Sequence, residues 1–129
     1  MLPMKGEGIY AAWGEGRLRV EISAVFTGNG ISALLTGGET PHIGGVVMCV
    51  PRPSLSGEGA SCDTYVLPVP GHKDTAAAQP VAEMICRRTG QVTVVTAGIH
   101  INNAQGHELE QLLQNSMEAG RRLVEKFME

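Results

Sequence analysis

The chain has 129 residues, 43 % of them hydrophobic, and a formal net charge of −3. That length suits one domain with one core, in which folding buries roughly two-thirds of the unfolded surface. The sequence pI near 5.8 argues against a general nucleic-acid binder, which carries a basic patch. No apolar run approaches the ~18 residues of a membrane-spanning helix.

The opening "MLPMKGEG" has no apolar core of the kind a signal peptide needs. "GIYAAWGEG" predicts a short first strand with Tyr10 and Trp13 as its anchors. Residues 17–26, "RLRVEISAVF", alternate: Leu18, Val20, Ile22, Ala24 and Phe26 face one way, Arg17, Arg19, Glu21 and Ser23 the other. That period of two is the mark of a half-buried strand. "TGNG" is a turn signal, because Gly and Asn tolerate positive φ, and "ISALLT" (31–36) reads as the returning strand of a hairpin.

"HIGGVVMCVP" (42–51) is apolar on both faces and predicts a central strand beginning at His42. "RPSLSGEGAS" is a loop, and "CDTYVLPV" (62–69) a strand that Pro68 assigns to a sheet edge. The period then changes. Asp74 or Thr75 caps a helix that runs to about Thr89, where Gly90 supplies the stop. Pro80 is tolerated only in a first turn, so this helix is expected to start late or bend there. "QVTVVTAGIHI" (91–101) is β-branched and strand-like. The last segment is the clearest helix: Leu109, Leu112, Leu113, Met117, Gly120, Leu123, Val124 and Phe127 form one stripe, read as core or dimer packing. Strands, helix, strand, helix in this order predict an α+β fold, a mainly antiparallel sheet with two helices packed on it, in a single domain over residues 1–129.

Three cysteines, Cys49, Cys62 and Cys86, form no CxxC pair. Cys49 and Cys86 lie in apolar stretches and read as buried free thiols, which fits a reducing, cytoplasmic compartment. Nucleophilic catalysis has little support, since there is no GxSxG and no cysteine stands near a histidine in sequence. Glu39 and Asp74 have the chemistry of an acid and a base, but read as exposed loop carboxylates.

The four histidines carry more. His42 follows a Gly/Pro turn, His72 lies between a strand and a helix, and His100 ends a strand. Such junctions are where a rigid scaffold presents side chains to a ligand. His107, in the first turn of the last helix, reads as solvated. Neutral imidazoles at His42, His72 and His100 suit a transition metal, although no HExxH or HxH is present. Gly37, Gly38, Gly44 and Gly45 let backbone N–H groups approach an oxyanion, and Lys73 precedes a helix start. Neither nucleotide-binding glycine motif is present. The glycines serve equally a tight turn and a close strand crossing.

Three stretches in order, "GGETPHIGGVV", "PGHKD" and "VTVVTAGIHINNAQGHELEQLL", together resemble the small prenylated-flavin chaperones of the LpdD type, over roughly residues 17–117. The resemblance implies a homodimer with a fold like the proteasome assembly chaperones. It implies a non-enzymatic carrier that binds reduced prenylated FMN and helps load it into a UbiD-type decarboxylase, gallate decarboxylase among them. The ligand residues it implies are His42, Gly44 and Gly45 from the first stretch, His72 and Lys73 from the second, and His100, Asn102 and Asn103 from the third. Asn102 stands where the motif is expected to carry an aspartate. Beside this reading stand a small metal-dependent enzyme built on the histidines and a module for protein contacts alone.

Overall fold

A computed structural model describes residues 2–129. Its elements are β1 (Gly8–Trp13), β2 (Val20–Phe26), β3 (Gly30–Gly38), β4 (Gly45–Pro53), β5 (Ala60–Pro68), α1 (Thr75–Thr89), β6 (Val92–His100) and α2 (Gly106–Met128). The strands form one six-stranded sheet in the order β1-β2-β3-β6-β4-β5. Every pairing is antiparallel except β3 with β6, which is parallel. The expected α+β class, with a mainly antiparallel sheet and two helices, is what the chain adopts.

The alternation in β2 sorts side chains as its period requires. Val20, Ile22, Ala24 and Phe26 are buried, while Glu21, Ser23 and Val25 are exposed. Leu18 departs from this strand, because a 3-10 turn at Gly16–Leu18 precedes it. The first strand is anchored by buried Ala11, not by Tyr10 and Trp13, which remain exposed. Trp13 instead carries the Arg122 guanidinium 4.5 Å over its ring, a contact that leaves the charge hydrated.

Both helices lie on one face of the sheet. Helix α1 covers β4, β5 and β6, and α2 covers β1 and β2. Between them the core runs from Ile22 and Leu35 through Val47 and Val95 to Val81, Ile85, Leu123 and Phe127. Phe127 meets Phe26 edge-on with ring centroids 5.3 Å apart, the arrangement that aligns a ring edge with a π face. Cys49 and Cys86 lie in this core as free thiols. Burial pushes the Cys49 thiol up to about 11 and that of Cys86 to about 12, so neither offers a thiolate near neutrality.

Helix α1 begins at Thr75 and carries Pro80 inside it, so it does not start late. The missing N–H leaves the Ala76 carbonyl without its helical partner, a small loss because Ala76 is exposed to water. Gly90 ends the helix with φ +69° and bonds back to the Cys86 carbonyl, as a left-handed stop should.

Among the described residues no helix covers the opposite face of the sheet. Along it Tyr10, Val25, Leu34, Met48, Tyr65 and Leu67 are exposed. Period two makes this inevitable: the residues between the buried ones are themselves apolar on several strands.

Candidate functional site

Strand order explains the opening of the site. β3 and β4 flank β6, so the chain leaving β3 must pass over the end of β6 to reach β4. The segment "GGETPHIGG" makes that crossing. The Glu39 and Thr40 amides both donate to the His100 carbonyl, at 2.7 and 3.3 Å, which pins the turn to the strand it crosses. A Cβ on Gly98 would collide with the His42 backbone, and one on Gly44 with the Asp74 carboxylate. The glycines therefore serve close approach of chain to chain. The Gly44 amide is engaged, donating to the Ala97 carbonyl at 2.8 Å, and Gly45, the first residue of β4, pairs with β5 and β6. The strand starts at Gly45, so His42 belongs to the crossing rather than to the strand.

This crossing divides neighbouring side chains. Ile43 projects onto the uncovered sheet face, in a hollow shared with Tyr10, Val25 and Leu34. His42 projects to the helix side. There it meets a cavity of about 370 Å³ between the start of α1, the end of β6 and the first turns of α2. Such a volume lies at the small end of pockets for cofactor-sized ligands, roughly 300–1,000 Å³. His42, His72, Lys73, Asp74 and His100 form its polar wall, and Ile99, Leu109, Leu112 and Leu113 its apolar one.

The polar wall is built around Asp74. This residue is 8 % exposed, which corrects its reading as a loop carboxylate at the surface. It occupies the N-cap position of α1, yet its side chain makes no capping bond. Oδ1 instead accepts the Ile99 amide at 2.8 Å, and Oδ2 lies 3.0 Å from His42 Nε2 and 3.7 Å from His72 Nδ1. His42 Nδ1 donates to the Thr40 carbonyl at 3.0 Å. That carbonyl, and then the Asp74 carboxylate, hold the His42 pKa above its ordinary value against the opposing effect of burial. The His42 and His72 rings are 4.9 Å apart and those of His42 and His100 6.4 Å, so three junctional histidines converge.

The apolar wall comes from an unexpected part of α2. Leu109 is 51 % and Leu113 41 % exposed, so the stripe buries its later members and leaves these at the cavity. Arg17 fixes this end of the helix. Its guanidinium bonds both Glu108 oxygens, at 3.0 and 2.6 Å, and reaches Glu39 and the Asn102 carbonyl. Glu108 also closes a capping box with Gln105. The Arg17 bond, followed by the Gln105 amide, holds the Glu108 carboxyl below its usual range.

Of the residues singled out in sequence, His42, His72, Lys73 and His100 meet in the cavity. Gly44 and Gly45 stand behind Asp74 and Thr75 rather than on its wall. Asn102 accepts from His100 Nε2 at 3.2 Å, and Asn103 takes a left-handed turn with φ 52°; neither lines the cavity. His107 is exposed, as its place in the first turn predicts.

The family model for the prenylated flavin chaperone LpdD-like domain matches residues 14–128. The chain belongs to this family. In this LpdD-like domain the match therefore takes in the crossing segment, both walls of the cavity and all of α1. A solved structure of a chaperone complex for yeast 20S proteasome assembly shares the fold with a TM-score of 0.64, covering 95 % of this chain and 98 % of its own at 13 % identity. No curated protein matches the sequence. No helix among the described residues is long and apolar enough to cross a membrane.

Proposed function

We propose that this protein is a non-enzymatic carrier that binds reduced prenylated FMN and aids its loading into a UbiD-type aromatic acid decarboxylase. The observation that carries the reading is the division of the cavity into two walls. Leu109, Leu113 and Ile99 offer an apolar surface to a flat ring system, and Lys73 with the histidines offers cationic and hydrogen-bonding groups to a phosphate. His42, His72, Lys73 and His100 are the direct ligand residues on this reading. Gly44 makes room for Asp74 and Gly45 for Thr75, and Asn102 and Asn103 shape the turn beside His100. The cleft opens to solvent on the helix side, which suits a cargo that has to leave again.

The carrier acts as a homodimer on this reading. The uncovered sheet face presents Tyr10, Leu34, Met48, Tyr65 and Leu67 together, a patch that a two-fold contact would cover. Light scattering on the parent and on Leu34→Lys checks this: the parent runs as a dimer and the variant as a monomer, and a monomeric parent refutes it.

The test of the carrier itself is anaerobic ultrafiltration with FMN, reduced FMN and reduced prenylated FMN, reading the retained flavin by absorbance. Selective retention of the reduced prenylated form is the expected result, with weaker retention by His42→Ala. Equal loss of all three flavins through the filter would sink the proposal.

A further inference from the structure

The contact between His42 and Asp74 poses a bonding problem. A carbonyl oxygen only accepts, so the bond to Thr40 places a proton on His42 Nδ1. In a neutral ring Nε2 then holds a lone pair, and that lone pair points at a carboxylate oxygen 3.0 Å away. Two electron-rich atoms at this distance need a cation on or between them. A second imidazole nitrogen, His72 Nδ1, stands 3.7 Å from the same oxygen. The three donor atoms all lie within 4.8 Å of one another. An ion with bonds of about 2.0–2.2 Å holds neighbouring donors about 2.9–3.4 Å apart, so the 3.0 Å side already fits, the 3.7 Å side closes by a few tenths of an ångström, and the side between the two imidazole nitrogens, at most 4.8 Å, closes by up to roughly 1.5 Å through rotation of the half-exposed His72 ring.

We propose that His42 Nε2, His72 Nδ1 and Asp74 Oδ2 form a two-histidine, one-carboxylate site for a divalent first-row transition ion. The outer contacts are those such a site uses. The far nitrogen of His42 donates to the Thr40 carbonyl, fixing tautomer and ring plane. The other oxygen of Asp74 accepts the Ile99 amide, which turns Oδ2 toward the histidines. Imidazole donors favour a transition metal over calcium or magnesium. His100 is outside the ligand set, because its Nε2 is engaged with Asn102 Oδ1. With three protein donors on one side, the remaining coordination positions face the cavity and are open to water or an anionic oxygen of a ligand.

The site stands on these three residues alone and does not depend on the flavin reading, so its test contains no flavin. Chelator-stripped protein is titrated with zinc chloride by calorimetry, and cobalt(II) is added as a spectroscopic probe of the donor set. One ion per chain is expected, with imidazole-type cobalt absorption. His72→Ala, at a half-exposed side chain, and Asp74→Asn each weaken binding about tenfold or more, while His107→Ala leaves it unchanged. Thermal unfolding of each variant separates loss of a ligand from loss of the fold, and His72→Ala decides the matter should Asp74→Asn unfold. Binding well below one ion per chain, or equal affinity in His72→Ala, overturns the proposal. Flavin retention by stripped protein that takes up no ion overturns the metal site alone; ion uptake without any flavin retention overturns the carrier alone.

Discussion

The placement of Asp74 rests on a missing side chain, and Gly44→Ala tests it. A Cβ at position 44 would occupy the space of the Asp74 carboxylate. The backbone there has an ordinary φ, so the substitution itself adds no strain, and the carboxylate must give way. Its departure leaves the Ile99 amide, now bonded at 2.8 Å, without an acceptor in a part-buried strand end. An unsatisfied donor shielded from water costs about 1–3 kcal/mol, and loss of the His42–Asp74 contact a further ~1–2 kcal/mol. About 3 kcal/mol in all lowers the melting temperature of a domain this size by roughly 10 °C. Gly106→Ala is the control: a Cβ there meets nothing within 4 Å, and the residue is the first of α2, so the chain should gain about 0.4–1 kcal/mol. Circular dichroism melts of the two variants beside the parent read both effects. A Gly44→Ala melting point within about 2 °C of the parent would show that Asp74 does not hold the position described.

Three other outcomes follow from the same structure. Phe127→Ala removes a fully buried ring and its edge contact with Phe26, and should cost about 3–5 kcal/mol in urea unfolding. Leu113→Asp places a charge on the apolar wall of the cavity at a half-exposed position, so flavin retention should fall about tenfold while the melting point stays near that of the parent. Glu108 has a lowered carboxyl pKa, so its bond to Arg17 stabilises the fold above the ordinary glutamate range and is lost as pH falls through that lowered value. The parent should therefore exceed Glu108→Gln in stability at neutral pH, and the two melting curves should converge as pH falls below the ordinary glutamate range.

Local structure was legible wherever one periodicity ruled. The alternation of 20–26 and the Gly90 stop were plain because each depends on neighbours in sequence. The stripe on α2 was also plain, yet it does not tell which turns are covered: the same apolar spacing that buries Leu123 leaves Leu109 and Leu113 half-exposed at a cavity. Tyr10 and Trp13 looked like anchors for their size, but the period of β1 turns Tyr10 to the face opposite Ala11, and Trp13, on the face of Ala11, sits at the end of the edge strand and remains exposed. Asp74 was hidden for a different reason. Its burial follows from the crossing of β6 by the chain between β3 and β4, and from two glycines distant in sequence: Gly44 leaves room for its carboxylate, and Gly98 lets the His42 backbone cross. Strand order is a long-range choice, and no local pattern encodes a parallel neighbour inserted between β3 and β4. A buried carboxylate flanked by histidines in "PGHKD" carries the same letters as a solvated turn.

His42 and Ile43 are successive residues on opposite sides of the sheet's end. Pressure on the isoleucine would act one peptide bond away from the imidazole. In a dimer joined through the uncovered face, association and cargo holding would then be linked quantities. Whatever factor flavin contributes to the dimer constant, pairing must return to the flavin constant. Dimer dissociation measured with and without flavin would give that factor directly. A partner enzyme that levered the two copies apart would, by the same arithmetic, loosen the grip on the load without touching the cleft.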